Sequence, residues 1–385
     1  MKAGSWSSVG LIYLYGVLGS ASLSKVIPLQ GDFHVHLGAS PAQFALLLSL
    51  LSIPPALLAT VGGSIADRVG ARSTLIVAAL AGAAANLLYL QAGSMREFQL
   101  LRVFEGCVLI GVYSAAPALI MATTSDARRG KAMAFWSTYT PVGISTGLLL
   151  SGAFAGSAHW RGGYLLHAGL FALLAGLGFL LPAPRAHADG VARRRVSLLD
   201  TYRQRGPLRI ALTFGALVVM GFGTSTVFPS WYAGQHDVSI GAASSILAGA
   251  NLLMIVGGIL TALLLGRGVA PLRIFVGLAA VGVVASIGVF TPGTTVALCL
   301  GSLGVWLLSS GAATAVVTSS LPRVLSNPAQ GASAAGLLSQ VAALTTFVTP
   351  QVWLPLRVAG YWPGFLAIVV IAWAAALALL PVRDR

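Results

Sequence analysis

Apolar runs of about 20 residues follow one another along almost the whole chain, separated by turns that hold nearly all of its charge. A run of that length crosses the hydrocarbon of a bilayer as a helix, where every backbone N–H and C=O must find its partner inside the segment. Twelve such spans can be marked: 8–31, 42–66, 73–93, 98–122, 131–154, 160–181, 207–231, 243–265, 272–290, 294–320, 332–354 and 360–380. Charged residues make up 8% of the chain and apolar ones 57%, where a soluble domain carries about a quarter charged. The expected class is an all-α integral membrane protein.

The net charge of +14 raises the question of a nucleic-acid partner, which the placement of the cations answers. With both termini in the cytoplasm, eighteen Lys and Arg fall on that side, and three, Arg96, Arg161 and Arg357, on the other. This is the positive-inside asymmetry, so the basic charge is a topology signal and no nucleic-acid partner is expected. The localisation implied is a bacterial cytoplasmic (inner) membrane. Lys2, the first apolar run and Ser20-Ala21-Ser22 imitate a signal peptide, but removing the run would leave an odd number of spans, so it is read as retained. Cys107 and Cys299 both lie inside apolar runs, so no disulfide framework, metal centre or cofactor is expected.

The long polar segment 182–206, with Arg193-Arg194-Arg195 at its centre, divides the chain into halves of six spans, 1–181 and 207–385. The halves look like repeats displaced by about 200 residues. Ser24-Lys25-Val26-Ile27-Pro28 aligns with Ser225-Thr226-Val227-Phe228-Pro229, Gly130-Lys131-Ala132 with Gly331-Ala332-Ser333, and Arg68 with Arg267.

Between spans two and three stands Gly63-Ser64-Ile65-Ala66-Asp67-Arg68-Val69-Gly70-Ala71-Arg72. It resembles the loop between the second and third helices of major facilitator superfamily transporters: Gly, three residues, Asp, a cation, one residue, Gly, one residue, a cation. Gly63, Asp67, Arg68, Gly70 and Arg72 fill every named position. The resemblance implies two pseudo-symmetric six-helix bundles with a substrate site between them near the bilayer midplane, and a gate in which the Asp meets a helix N-terminus or an Arg when the cytoplasmic side is closed. In the second half Gly266 stands where an acid would match Asp67, so the gate is expected to be asymmetric. Length and first span also give a loose likeness to the cyanate and nitroimidazole permease group.

Arg102-Val103-Phe104-Glu105-Gly106 resembles a second superfamily motif, an Arg followed by Gly four residues on, associated with proton coupling. Ionisable residues inside a span are expensive and mark function; here they are Lys25, Arg102 and Glu105. At 1.5 Å per residue they lie roughly 9, 6 and 10 Å from the outer ends of their spans, so all three can share one layer. One reading is a cluster with residual positive charge that an anion completes. The other is a structural Arg102–Glu105 pair with Lys25 snorkelling to the headgroups. Tyr113, Tyr139, Trp231, Asn251 and Gln340 are secondary candidates for the cavity. His167 is read as bonding a neighbouring helix, with a coupling role as its alternative.

Thr140-Pro141-Val142-Gly143-Ile144-Ser145-Thr146-Gly147 keeps little of the superfamily's antiporter pattern, which favours uptake. No phosphate-binding Gly-Lys-Ser/Thr loop and no serine elbow appear, so neither an ATP-driven pump nor an enzyme is expected. The function expected is proton-coupled uptake of a small organic anion by a monomer, with substrate, protons and lipid as its partners. The alternative is a proton-driven exporter of drugs or metabolites.

Overall fold

The computed structural model describes residues 2–58, 68–183, 203–325 and 331–381. Among these every regular element is a helix. The first eight are α1 (Trp6–Ser24), α2 (Gln30–Leu37), α3 (Pro41–Leu50), α4 (Ala71–Gln91), α5 (Met95–Thr123), α6 (Asp126–Trp136), α7 (Tyr139–Gly152) and α8 (Gly162–Gly178). There follow α9 (Arg205–His236), α10 (Ile240–Asn251), α11 (Leu253–Gly266), α12 (Pro271–Phe290), α13 (Val296–Ser320), α14 (Gly331–Val358) and α15 (Trp362–Leu379). Packing gathers them into two compact units. The first takes α1 to α8 with Ser239–Ala248, the N-terminal part of α10; the second takes α9, the rest of α10, and α11 to α15.

Ten of the described helical stretches are long and apolar enough to cross a membrane, two fewer than the twelve spans expected. The sixth expected span is covered by the 17-residue α8, which runs on as tight turns, each N–H reaching three residues back, as far as Leu181. The fifth, expected as one helix over 131–154, is two helices, α6 and α7, parted at Ser137 and Thr138. Pro141 is the cause: it has no N–H for the Ser137 carbonyl and its ring crowds that carbonyl, so the helix stops there and restarts. Span one is interrupted in the same way. Pro28 ends α1 at Ser24, and a 3-10 turn, Ile27–Leu29, leads into α2. The break after α3 precedes Pro54 and Pro55. Other prolines, Pro117 and Pro229 among them, stay inside continuous helices.

Helix starts follow ordinary capping rules. Ser40 and Gln43 exchange side-chain and backbone bonds in a capping box at the start of α3, and Ser94 accepts from the Glu97 N–H at the start of α5. Within the first unit α1 packs on α7 and α5, α4 on α5 and α8, and α3 on α5. The contact of α1 with α7 is close because of Gly143 and Gly147. A Cβ at Gly143 would fall on Ser20 and the Val17 carbonyl, and one at Gly147 on the Ala21 carbonyl and the Ser24 hydroxyl. Small residues are how membrane helices gain packing contact without a hydrophobic driving force. In the second unit Gly257 on α11 and Gly311 on α13 serve the same end, against the carbonyls of Leu308 and Met254. Large exposed side chains such as Val77, Leu80, Val284 and Ile371 are apolar, as a surface solvated by hydrocarbon requires.

Candidate functional site

The breaks in spans one and two leave orphan carbonyls at the C-terminal ends of α1 and α3, and Arg102 of α5 takes one from each. Its Nη1 donates to the Ser22 carbonyl at 2.8 Å and its Nε to the Leu47 carbonyl at 3.2 Å. Gly106, one turn further along α5, faces the Leu51 carbonyl and the Pro54 ring, where a Cβ would overlap both. The Arg-to-Gly spacing therefore has a local physical reason: the Arg caps the broken helices and the Gly lets the proline break seat against α5.

The same guanidinium donates through Nη1 to Glu105 Oε2 at 2.9 Å. Lys25 reaches the other carboxylate oxygen, Oε1, at 2.6 Å, and Tyr89 donates its hydroxyl to Oε2 at 3.1 Å. The Lys25 ammonium also donates to Asn86 Oδ1 at 2.5 Å, lies 3.4 Å from His167 Nδ1, and stands 5.0 and 5.2 Å from the ring centres of Tyr89 and Tyr164. Lys25 is 1% exposed and Arg102 and Glu105 are 0% exposed. Lys25 thus turns inward, and the snorkelling alternative is set aside because a carboxylate, an amide oxygen and two aromatic faces replace its water. Two cations meet one carboxylate in this cluster. Arg102 Nη2 and the Tyr164 hydroxyl are buried without a protein partner.

Tyr113 and Tyr139 lie together elsewhere in the first unit. Their rings are 5.4 Å apart, Tyr139 packs on Trp136 at 4.4 Å, and the Tyr113 hydroxyl bonds the Ser20 hydroxyl at 3.0 Å. The other three secondary candidates belong to the second unit. Trp231 donates to the Val289 carbonyl at 3.1 Å beneath the Arg357 guanidinium. Asn251 is buried with its amide nitrogen unpartnered, and Gln340 is half-buried with its side-chain oxygen unpartnered. At the spacing of the sequence repeat, Lys25 and Glu105 correspond to Thr226, which donates to the Phe222 carbonyl at 2.8 Å, and Trp306, which donates to the Thr224 hydroxyl at 3.1 Å; both links are neutral. Both ion pairs found among the described residues lie in the first unit.

Gly63 and Asp67 of the loop motif lie outside the described residues. Arg68 is exposed. Gly70 has φ +92° at the start of α4, a conformation that favours glycine. Arg72 donates to the Phe179 carbonyl at 2.5 Å just past the end of α8, over the Phe179 ring. Asn86, Tyr89 and Tyr164 were not singled out from the sequence. They are ordinary polar residues in apolar runs, and no spacing rule marks them.

The fold is shared with solved transporters. A bacterial homolog of the human lysosomal transporter Spinster, inward-facing and unoccupied, superposes with a TM-score of 0.79 at 16% identity, covering 98% of each chain. A point mutant of the nucleoside transporter NupG gives 0.73 at 15% identity over 97% of this chain and 99% of that one. Among curated relatives, the fatty acid resistance protein FarB of Neisseria gonorrhoeae is 25% identical over 153 residues, 40% of this chain and 30% of FarB. The multidrug export protein EmrB of Haemophilus influenzae is 28% identical over 145 residues, 37% of this chain and 28% of EmrB. The chain therefore spans under a third of the length of these curated relatives. Residues 9–350 match the family model described as Major Facilitator Superfamily; with that match over most of its length and ten described helical stretches apolar enough to cross a membrane, the chain is an integral membrane protein and belongs to the Major Facilitator Superfamily.

Proposed function

We propose that the protein is a secondary active transporter that couples proton movement to uptake of a small organic anion, by alternating access of two six-helix halves, 1–181 and 207–385. The observation that carries this reading is the buried excess of cation: Lys25 and Arg102 against Glu105, with one guanidinium nitrogen left without a protein partner. A lone positive charge inside a membrane protein is expensive, and an anion arriving with its own negative charge offsets it. On this reading the fifth and sixth spans are the α6–α7 pair and α8, giving twelve crossings with both termini cytoplasmic, in a monomer of the bacterial inner membrane. The Gly63–Arg72 loop acts as the gate.

Export is the second reading, favoured by the names of two relatives, a fatty acid resistance protein and a multidrug export protein. One experiment separates the two. In vesicles of purified protein with an imposed pH gradient, acetate, benzoate and succinate are offered as anionic probes and ethidium as a cationic drug. Uptake expects an anion to accumulate with co-moving protons and to raise thermal stability in a titration. Gradient-driven movement of ethidium, with no response to any of the three carboxylates, would establish the exporter instead.

A further inference from the structure

We infer that Lys25 and His167 act as one proton-holding pair, and that this pair, rather than Glu105, gives up and regains the proton in the transport cycle. The inference rests on the proton-coupled reading above and names the group that performs the coupling. It follows from counting protons across hydrogen bonds whose other partners are fixed. His167 Nε2 lies 3.2 Å from the Leu18 carbonyl, which accepts and cannot donate, so Nε2 carries a hydrogen. Nδ1 then faces Lys25 Nζ at 3.4 Å. The other two N–H groups of Lys25 are committed to Glu105 Oε1 and to Asn86 Oδ1, whose orientation is set because the Asn86 amide nitrogen donates to the Gly82 carbonyl at 2.8 Å.

Both links of His167 are satisfied when the two residues share one proton beyond neutrality, as ammonium with imidazole or as amine with imidazolium. Remove that proton and one link fails in either imidazole tautomer: Nδ1 meets an amine lone pair, or Nε2 presents a lone pair to the Leu18 carbonyl. In a dry interior an unmade hydrogen bond is costly. Leu18 and Lys25 are two helical turns apart on one face of α1, so His167 grips α1 at two points; loss of the proton breaks one of them and loosens α8 there, while the Tyr15 hydroxyl still holds the Leu174 carbonyl. The chemistry is a simple exchange: an N–H bond of the pair breaks, an O–H bond forms on water when the site opens, and the reverse restores the pair from the other side.

The charged and titratable groups facing the pair are Glu105 and Arg102 from α5, Tyr89 from α4 and Tyr164 from α8. From α7 the nearest link to this part of α1 is neutral, Ser24 donating to the Ile144 carbonyl. Glu105 is the poorer carrier, since its two oxygens accept from Lys25, Tyr89 and Arg102, and protonating it would strip two buried cations of their counter-charge.

The chain has three lysines, Lys2, Lys25 and Lys131, which makes Lys25 directly observable. Full-length protein carrying Lys2→Arg and Lys131→Arg, labelled with 15N-lysine, has a single ζ-nitrogen signal to follow from pH about 5 to about 9. Amide hydrogen exchange of α8 is followed over the same range. The expected result is one step in the Lys25 signal, accompanied by faster exchange in α8. His167→Gln is the decisive variant, because its amide oxygen and nitrogen can serve both hydrogen bonds but cannot hold the extra proton. There the Lys25 step should move by about one pH unit or more and the α8 response should separate from it. A parent protein with no step, or a His167→Gln protein titrating like its parent, would overturn the pair. A Lys25 step that depends on His167, in a protein whose vesicles move no protons with acetate, benzoate, succinate or ethidium, would leave the pair standing and reject the transport reading.

Discussion

Arg102 joins three helices through a single planar group: a carboxylate on its own helix and a carbonyl on each of two broken ones. A lysine in its place has a point charge on a flexible stem and cannot serve those acceptors at once. Arg102→Ala should cost about 3–5 kcal/mol, the usual penalty for stripping one partner from a buried ion pair, and Arg102→Lys should recover less than half of that. Thermal unfolding of both variants in one detergent measures it, and equal stability of the Lys variant and the parent would show that the carbonyl caps contribute nothing. The sequence exposed Lys25, Arg102 and Glu105 because an ionisable residue inside an apolar run is conspicuous. It was silent on Asn86, Tyr89 and Tyr164, whose importance comes from converging on one point from two helices. His167 sat between these cases: its titratable ring was visible, but its two partners on α1 were not.

At the scale of elements, apolarity located the spans well and their interruptions badly. Counting apolar side chains does not register a missing N–H, so the stretch 131–154 read as one helix although Pro141 divides it. The scattered glycines of span five carried little meaning in the sequence and acquire one from the backbone of α1 lying against them. Gly147→Leu should force α7 away from α1 and destabilise the protein by about 1–3 kcal/mol, as overpacking does in other well-packed interiors. Gly169→Leu on α8 has no neighbour within 4 Å of its added Cβ and serves as the control. The prediction fails if the two variants unfold at the same temperature.

For the whole molecule, the charge asymmetry between loops predicts that both termini face the cytoplasm. A reporter enzyme active only outside the cytoplasm, fused after Arg385, should be silent; an active fusion would invert the topology and move the Gly63–Arg72 loop to the wrong side for a cytoplasmic gate. Family membership was legible from that loop and from the succession of apolar runs, whereas substrate and direction were not, because they depend on side chains that meet across different helices. At the spacing of the sequence repeat, Lys25 and Glu105 of the first unit correspond to Thr226 and Trp306 of the second, whose side chains make neutral hydrogen bonds to the Phe222 carbonyl and the Thr224 hydroxyl. The two units are therefore unequally brittle. A changed hydroxyl or indole in the second forfeits one neutral hydrogen bond, a loss of about 1 kcal/mol that many neighbours can absorb. A changed charge in the first strands its partner in a medium that cannot solvate it. Drift under mutation is thus steered towards the second unit, which is free to diversify while the first holds still.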